Sequence, residues 1–362
     1  MINLTLSLAN DYLFGKRFFL IFLSVILFSC SDDEVNVFGE TINYPIEIKK
    51  IENFPSIKYD LASNQPTKNG VELGRKLFYE GKLAADNAIA CGFCHIQKNA
   101  FTHHGHTISH GVFDRKGFRN APPIQNMIYL SHFTWDGVVT NLDEQPIIPI
   151  SAHEEMNETF PNIIKKLNKT SYYPILFKNA FGSSEITADR ILKALAQFMV
   201  TIVSANSKYD KVIRNEGEFF TDEEIKGKIL FEQKCASCHA TDLFTDQSFR
   251  NTGLKYNSSL NDYGRYRVTL LESDKMKFRV PSLRNIEITA PYMHDGRFYS
   301  LEAVLNHYSD NIEDHPDLDP ILKQNGKIGI PLTEQEKSLL ITFLKTLTDN
   351  EFINNKNFSE FP

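Results

Sequence analysis

Apolar residues recur at helical spacing in four stretches of this chain, and the spacing predicts a mainly α-helical fold. Val71, Leu77 and Phe78 mark a helix within Gly70 to Tyr79. Ile191, Leu195, Phe198 and Ile202 line one face of a buried amphipathic helix between Thr187 and Ser204. Thr221 with Glu224, and Thr333 with Glu336, each have the spacing of a capping box and announce two further helices. The last of these presents Leu339, Leu340, Phe343, Leu344 and Leu347 inward. No region has the alternation of a β-rich fold. The intervening segments carry Pro, Gly, Asn and Asp and read as long loops.

The helical pattern repeats. Gly74-Arg75-Lys76-Leu77-Phe78 leads toward Cys91-Gly92-Phe93-Cys94-His95. Gly227-Lys228-Ile229-Leu230-Phe231 leads toward Cys235-Ala236-Ser237-Cys238-His239. Two thiols three positions apart can add to the two vinyl groups of one haem, and the adjacent imidazole reaches its iron. Chance gives about 0.002 such matches at this composition. Two matches therefore predict two covalently bound c-type haems, held by Cys91, Cys94 and His95 and by Cys235, Cys238 and His239. A zinc or redox Cys pair is the alternative, but it leaves both trailing histidines without a task. The duplication predicts two cytochrome-c-like units, residues 67–212 and 213–362, each a helix running into a haem site.

Composition narrows the class. The 362 residues are 42% hydrophobic and 23% charged, as in a globular chain. The net charge of −6 and the lack of a basic cluster exclude nucleic acid as partner. Mild acidity favours a basic redox partner through steering. Of 5 Cys, four belong to the haem motifs, which leaves Cys30 and no disulfide. Lys16 and Arg17 precede an uncharged apolar run from Phe18 to Ser29, the order of an export signal. Leu27-Phe28-Ser29-Cys30 resembles a lipoprotein cleavage box. The expectation is a signal peptide over 1–30, a lipid anchor on Cys30 and a tether with an extended lead-in over 31–66. The mature protein would then stand on the periplasmic side or the cell surface of a Gram-negative-type envelope.

The loops between and after the motifs hold the candidate chemistry. His103, His104, His106 and His110 share one Gly-containing loop, from which one imidazole can reach the open side of the first iron. Trp135, the only Trp, is either core or a carrier of oxidising equivalents between haems. Of Glu154 and Glu155, one placed in a haem pocket can take a proton from peroxide and return it to the leaving oxygen. Met276, Met293, His294, His307 and Tyr308 are candidates for the open side of the second iron.

In order along residues 67–350, the segments LGRKLFY, ACGFCH, SHG, RNAPP, WDG, EEM, CASCH, FRVPSLRN and APYMHDG resemble those of the bacterial di-haem cytochrome c peroxidase and MauG family. The resemblance implies that Cys91, Cys94 and His95 carry the peroxidatic haem and Cys235, Cys238 and His239 the electron-accepting one. It implies His110 as a removable distal ligand, Trp135 as the inter-haem Trp and Glu155 as the catalytic acid and base. It also implies a calcium ion held by Asn120 and by the carbonyls of Thr289 and Pro291, and a homodimer. Where peroxidases of the family have Met as the second axial ligand, this chain has Tyr308, as MauG-type enzymes do.

The expected function is reduction of hydrogen peroxide at the first haem, with electrons arriving through the second from a small donor such as cytochrome c or a cupredoxin. A MauG-type oxidation of a partner protein or organic molecule is the alternative, and a non-catalytic electron carrier the third. A lipid on Cys30 predicts that Cys30→Ala moves the protein from the membrane to the soluble fraction; continued sedimentation with membranes would point to an uncleaved anchor.

Overall fold

The computed structural model describes residues 43–324 and 326–362, so the apolar run at 18–29 and Cys30 lie outside the described residues. The described chain is mainly helical, as its pattern predicts. Helices α1 (Lys68–Phe78), α2 (Cys91–Cys94), α3 (Ile147–Ser151), α4 (Phe160–Asn168), α5 (Tyr173–Phe181) and α6 (Ala188–Met199) come first. After them come α7 (Lys208–Ile213), α8 (Asp222–Lys234), α9 (Tyr266–Thr269), α10 (Leu301–Asp310), α11 (Glu334–Lys345) and α12 (Asn350–Ile353). Two antiparallel pairs of two-residue strands, Phe249–Arg250 with Phe278–Arg279 and Lys323–Gln324 with Lys327–Ile328, complete the regular structure. Both expected capping boxes form, at Thr221 and Glu224 and at Thr333 and Glu336. Helices α4 and α5 occupy a stretch that the pattern assigns to loop. Each is only nine residues long and starts with Pro in its first turn, so the breaker residue masks the helix it opens.

One contact organises each half. On α1, a Cβ at Gly74 would stand 1.9 Å from the Ala194 carbonyl oxygen and 2.9 Å from Phe198 Cβ, both on α6. On α8, a Cβ at Gly227 would stand 2.1 Å from the Leu339 carbonyl oxygen and 2.8 Å from Phe343 Cβ, both on α11. Real side chains do not fit at such distances, so in both halves the helix that feeds the haem motif meets a later helix backbone to backbone. The Gly of the repeated Gly-basic-x-Leu-Phe pattern is that crossing point.

Two hydrophobic cores follow from these crossings. The first gathers Leu73, Leu77, Phe78, Phe101, Ile128, Tyr129, Phe177, Ile191, Leu195 and Phe198. The second gathers Tyr209, Phe231, Phe244, Leu305, Leu340, Phe343 and Leu347. Phe352 and Phe358, far along the chain, pack into the first core. Tyr79 Oη donates to the Phe358 carbonyl (2.7 Å), and Arg75 Nη1 donates to the carbonyls of Ser359 (2.6 Å) and Glu360 (2.7 Å). Residues 43–66 carry no helix and lie along the same core, with Phe54 buried and Ile48, Ile51, Ile57 and Leu61 packed against it.

The seam between the cores is polar and buried. Two Arg-Asn pairs dominate it. Arg119 bridges Asp136 (2.6 Å) and Asp262 (2.7 and 2.8 Å). Arg284, fully buried, makes a two-pronged bond with Asp210 (2.7 and 2.8 Å). Asn285 Nδ2 donates to Ser204 Oγ (2.9 Å), and Gln125 Nε2 to the Arg284 carbonyl (2.7 Å). A carboxylate buried this way survives only with its cation. Despite burial, Arg284, Ser207 and Asn53 hold the Asp210 carboxyl below the usual range.

Arg284→Met, which leaves buried Asp210 with only the more distant Arg214 guanidinium (4.0 Å), should therefore lower unfolding free energy by about 3–5 kcal/mol. The wild-type contribution of Asp210 should be present above the usual carboxylate pKa and fade as pH falls toward its depressed folded value. Denaturant midpoints across pH check both.

Candidate functional site

The two Cys-x-x-Cys-His motifs are built alike. In the first, Cys91 to Cys94 form the single turn α2, and the His95 N–H closes on the Cys91 carbonyl (2.9 Å). In the second, α8 ends on Cys235, whose carbonyl accepts the His239 N–H (3.0 Å). None of the four motif cysteines is in a disulfide, and each residue is part-accessible. Burial pushes the thiols of Cys91, Cys94 and Cys235 up to about 12, in the first motif aided by the partner Cys and by Glu155. A thiol pair beside one imidazole suits addition to the two vinyl groups of a haem, and among the described residues no group of three or more His, Cys, Asp and Glu side chains is gathered as a zinc site requires.

Each histidine is oriented by a backbone carbonyl. His95 Nδ1 bonds the Phe101 carbonyl at 2.8 Å, and His239 Nδ1 bonds the Phe244 carbonyl at 3.0 Å. A carbonyl can only accept, so Nδ1 carries the proton and Nε2 keeps its lone pair for a metal. Burial lowers the His95 pKa to about 4 and lowers that of His239, which keeps both rings neutral. The donor sets thus fit two c-type haems: a thiol pair and a neutral, pre-aimed imidazole in each.

Sequence reasoning missed the two phenylalanines. Phe101 (φ 61°) and Phe244 (φ 55°) both sit in the left-handed region, which a bulky side chain rarely adopts. That twist turns the carbonyl back onto the histidine. Ring burial offsets its cost: Phe101 packs on Phe78, Phe352 and Phe358, and Phe244 on Tyr209, Phe231 and Phe343. The acceptor is main chain, so side-chain identity carried no signal for it.

Glu155 lies beside the first motif. Its carboxyl is near enough to Cys91 and Cys94 to raise both thiols. Burial, helped by Glu154, raises its own pKa, and no hydrogen bond to it exists among the described residues. Its carbonyl accepts the Val112 N–H (2.7 Å), which fastens it to the His110 loop. Gly111 is the second feature that escaped the sequence reading. A Cβ there would stand 2.2 Å and 2.3 Å from the carbonyl oxygens of Glu154 and Glu155.

The four loop histidines separate. His104 and His106 are exposed, His103 is buried and His110 is intermediate. The His110 carbonyl accepts from Cys94 Sγ (3.5 Å), while its ring Nδ1 stands 3.9 Å from Asp114. Partial burial, His106 and Lys116 lower the His110 pKa against the pull of Asp114. Trp135 sits on the seam. Its indole N–H donates to the Asn120 carbonyl (2.8 Å), its own carbonyl accepts the Arg279 N–H (2.8 Å), and the Asn120 N–H donates to the His294 carbonyl (2.7 Å). Asn120 and Thr289 are buried, and no backbone N–H among the described residues donates to the carbonyls of Thr289 or Pro291.

At the second motif the candidates for the open side are unequal. His307 Nε2 is committed to the Thr252 carbonyl (3.0 Å), and His294 is stacked on Phe278 with ring centres 3.7 Å apart. Burial, reinforced by Cys238 and Cys235, raises the Tyr308 phenol well above its usual value. Tyr308 is therefore near enough to the thiols of the second motif for their charge to act on its phenol.

Comparisons with known proteins bear on this arrangement. Residues 68–218 match a family described as di-haem cytochrome c peroxidase. The chain is 34% identical over 294 residues to the methylamine utilization protein MauG of Methylorubrum extorquens, covering 79% of this chain and 80% of that one. It is 34% identical over 286 residues to cytochrome c551 peroxidase of Nitrosomonas europaea, covering 77% and 80%. The solved structure of a MauG-like protein associated with microbial copper homeostasis superposes with a TM-score of 0.78 at 31% identity, over 87% of this chain and 99% of that one.

Gly111→Ala should push the Glu154-Glu155 backbone away from the first motif and cost about 100-fold in peroxide turnover, with haem content unchanged. Rates and haem spectra measured together check this.

Proposed function

Because this chain belongs to the di-haem cytochrome c peroxidase family that includes MauG, an oxidoreductase family acting on peroxide with two c-type haems, we propose that it uses hydrogen peroxide in the MauG manner, to oxidise a partner protein or an organic molecule. Tyr308 carries this reading. Its part-buried phenol lies within the influence of Cys238 and Cys235, which raise it with burial, so it ionises only against a cation such as ferric iron. A phenolate ligand favours the higher oxidation states, where a thioether would hold an electron in waiting.

The bound haems supply iron for O–O cleavage at the first motif and redox capacity at the second. The remaining work falls to side chains. Residues 67–212 and 213–362 would carry one haem each, with Phe352 and Phe358 of the later stretch packed into the first core and Tyr209 of the earlier stretch into the second. Glu155, unpaired and with its pKa raised, takes the proton from peroxide and returns it to the departing oxygen. Trp135, hydrogen-bonded between loops that follow the two motifs, passes oxidising equivalents across the seam. Asn120 with the carbonyls of Thr289 and Pro291 offers calcium an all-oxygen set that suits a hard cation. A lipid on Cys30 holds the enzyme to an envelope membrane on the periplasmic or outer side. Among the described residues no helix is long and apolar enough to cross that membrane.

The second reading is a peroxidase that draws electrons from cytochrome c or a cupredoxin, acting as a homodimer. His110 favours it, since the loop that bears it leans on Cys94 and can supply a displaceable ligand. The Nitrosomonas relative is named a peroxidase.

Two variants test the assignment. Glu155→Gln should keep both haems and lose peroxide turnover. In the wild type, turnover should fall on the acid side at a pH above the usual glutamate range, as the raised carboxyl takes its proton; a wild-type-like rate in the variant removes Glu155 from the chemistry. Tyr308→Met should raise the potential of the second haem and favour cytochrome-dependent turnover. An unmoved potential in a redox titration rules out Tyr308 as ligand. A first haem that becomes high-spin only after one-electron reduction decides for the second reading.

A further inference from the structure

Three tyrosines in the loops after the second haem motif touch ring to ring. Tyr256 and Tyr263 are stacked with ring centres 5.0 Å apart, and Tyr266 meets Tyr263 edge-on at 6.2 Å. Packing alone would account for such contacts. It does not account for where the cluster is tied. Arg119 joins Asp136, the residue after Trp135 (2.6 Å), to Asp262, the residue before Tyr263 (2.7 and 2.8 Å). Arg265, between Tyr263 and Tyr266 in the chain, donates from Nη1 to the carbonyls of Asp136 (2.8 Å) and Gly137 (3.1 Å). One short stretch completes the link. The Met276 N–H donates to the Tyr263 carbonyl (3.0 Å), and the Arg279 N–H to the Trp135 carbonyl (2.8 Å). Phe278, between them, puts its ring against Gly264, with Cζ 3.1 Å from where a Cβ would stand. Guanidinium and main-chain bonds thus hold Trp135 and the tyrosines in one frame.

The other end of the cluster opens to solvent. Tyr256 lines an open cleft of about 470 Å³. Thr107 and Ile108 come to it from the loop after the first motif, and Lys255, Leu260 and Arg297 from loops after the second. Its volume is that of a small organic molecule. Tyr256 Oη donates to Oδ1 of the exposed Asn261 (2.8 Å). Lys275 Nζ stands 5.1 Å from the Tyr266 ring centre and 5.9 Å from that of Tyr263. A cation so placed disfavours positive charge on either ring. A tyrosine oxidised here therefore gives up its phenol proton along with its electron.

We propose that Tyr263 and Tyr256 carry oxidising equivalents from Trp135 to this cleft, where an electron-rich phenol is oxidised. The proposal rests on the peroxide-driven reading above and narrows its substrate to a small phenol. Each step moves one electron. A tyrosine loses an electron toward Trp135 and a proton to water, which leaves a neutral phenoxyl radical. The bound phenol then gives that radical a hydrogen atom, so tyrosine is restored and the phenol departs as a phenoxyl radical of its own. Two such transfers supply the electrons that turn one hydrogen peroxide and two protons into two waters. Tyrosine is itself a phenol, so the transfer runs downhill for ring-substituted phenols that lose an electron more readily, guaiacol among them.

The test adds one equivalent of hydrogen peroxide to the full-length holoprotein and records haem spectra and EPR together. The wild type should show a tyrosyl radical, identified by the narrower signal of protein made with ring-deuterated tyrosine. Tyr263→Phe, which removes only a hydroxyl, should abolish that signal and slow guaiacol oxidation about tenfold, while the haems still react with peroxide. Tyr172→Phe, in a tyrosine pair on α5 with ring centres 4.5 Å apart, should change neither. Leu260→Trp, which fills the cleft, should keep the radical and raise KM for guaiacol about tenfold. A radical that survives in the Tyr256→Phe, Tyr263→Phe double variant, or guaiacol oxidation at the wild-type rate in Tyr263→Phe, overturns the relay alone. A KM unmoved by Leu260→Trp overturns the cleft as the substrate site. Wild-type haems that do not react with peroxide overturn the preceding reading and the relay with it.

Discussion

Everything at the two metal sites depends on one short bond made twice, from an imidazole N–H to a main-chain carbonyl. It settles which nitrogen carries the proton, which way the ring faces and which lone pair is left over. The bond needs a carbonyl turned back toward the motif, and in each half a phenylalanine with a left-handed backbone provides it. The ring of that phenylalanine is in turn a central piece of the local core. Site and core are therefore one construction: loosening the packing around Phe101 or Phe244 would release the carbonyl before it released anything visible at the cysteines.

The same economy holds at the helix crossings. Gly74 and Gly227 bring the helix preceding each motif against the backbone of α6 and α11, and this close approach sets where Phe78 and Phe231 enter their cores. Between the halves the logic changes from apolar to ionic. Arg119 and Arg284 each reach a buried aspartate, and the asparagine after each one bonds across the seam. Charged groups with fixed directions place Trp135 and His294 more narrowly than a greasy interface could, since each bond is lost within a fraction of an ångström. A path for oxidising equivalents benefits from such placement.

Much of this was legible in the chain before any coordinates. The repeated Cys-x-x-Cys-His, the capping boxes and the periodic helices 187–204 and 333–347 are side-chain signals, and they gave the helical class, two haem motifs and the duplication. Tyr308 and Glu155 were nominated by their place in a family-like order of segments, and in the fold each lies near the thiols of a motif. What was not legible has a common cause. The carbonyls of Phe101 and Phe244, the crowding at Gly111 and the crossings at Gly74 and Gly227 are main-chain events, on which residue type bears weakly. The sorting of the four loop histidines into one buried, one intermediate and two exposed depends on tertiary burial, to which a short run of like residues gives no clue. Helices α4 and α5 were hidden by the prolines that start them.

Phe352, Phe358 and the carbonyls of Ser359 and Glu360 close over the first core. These residues leave the ribosome long after the half they complete. The first core is thus incomplete until the last residues are in place, while the second is gathered from α7, α8, α10, α11 and the loops between them. Order of synthesis and order of completion are thereby reversed. The half that begins first is sealed last.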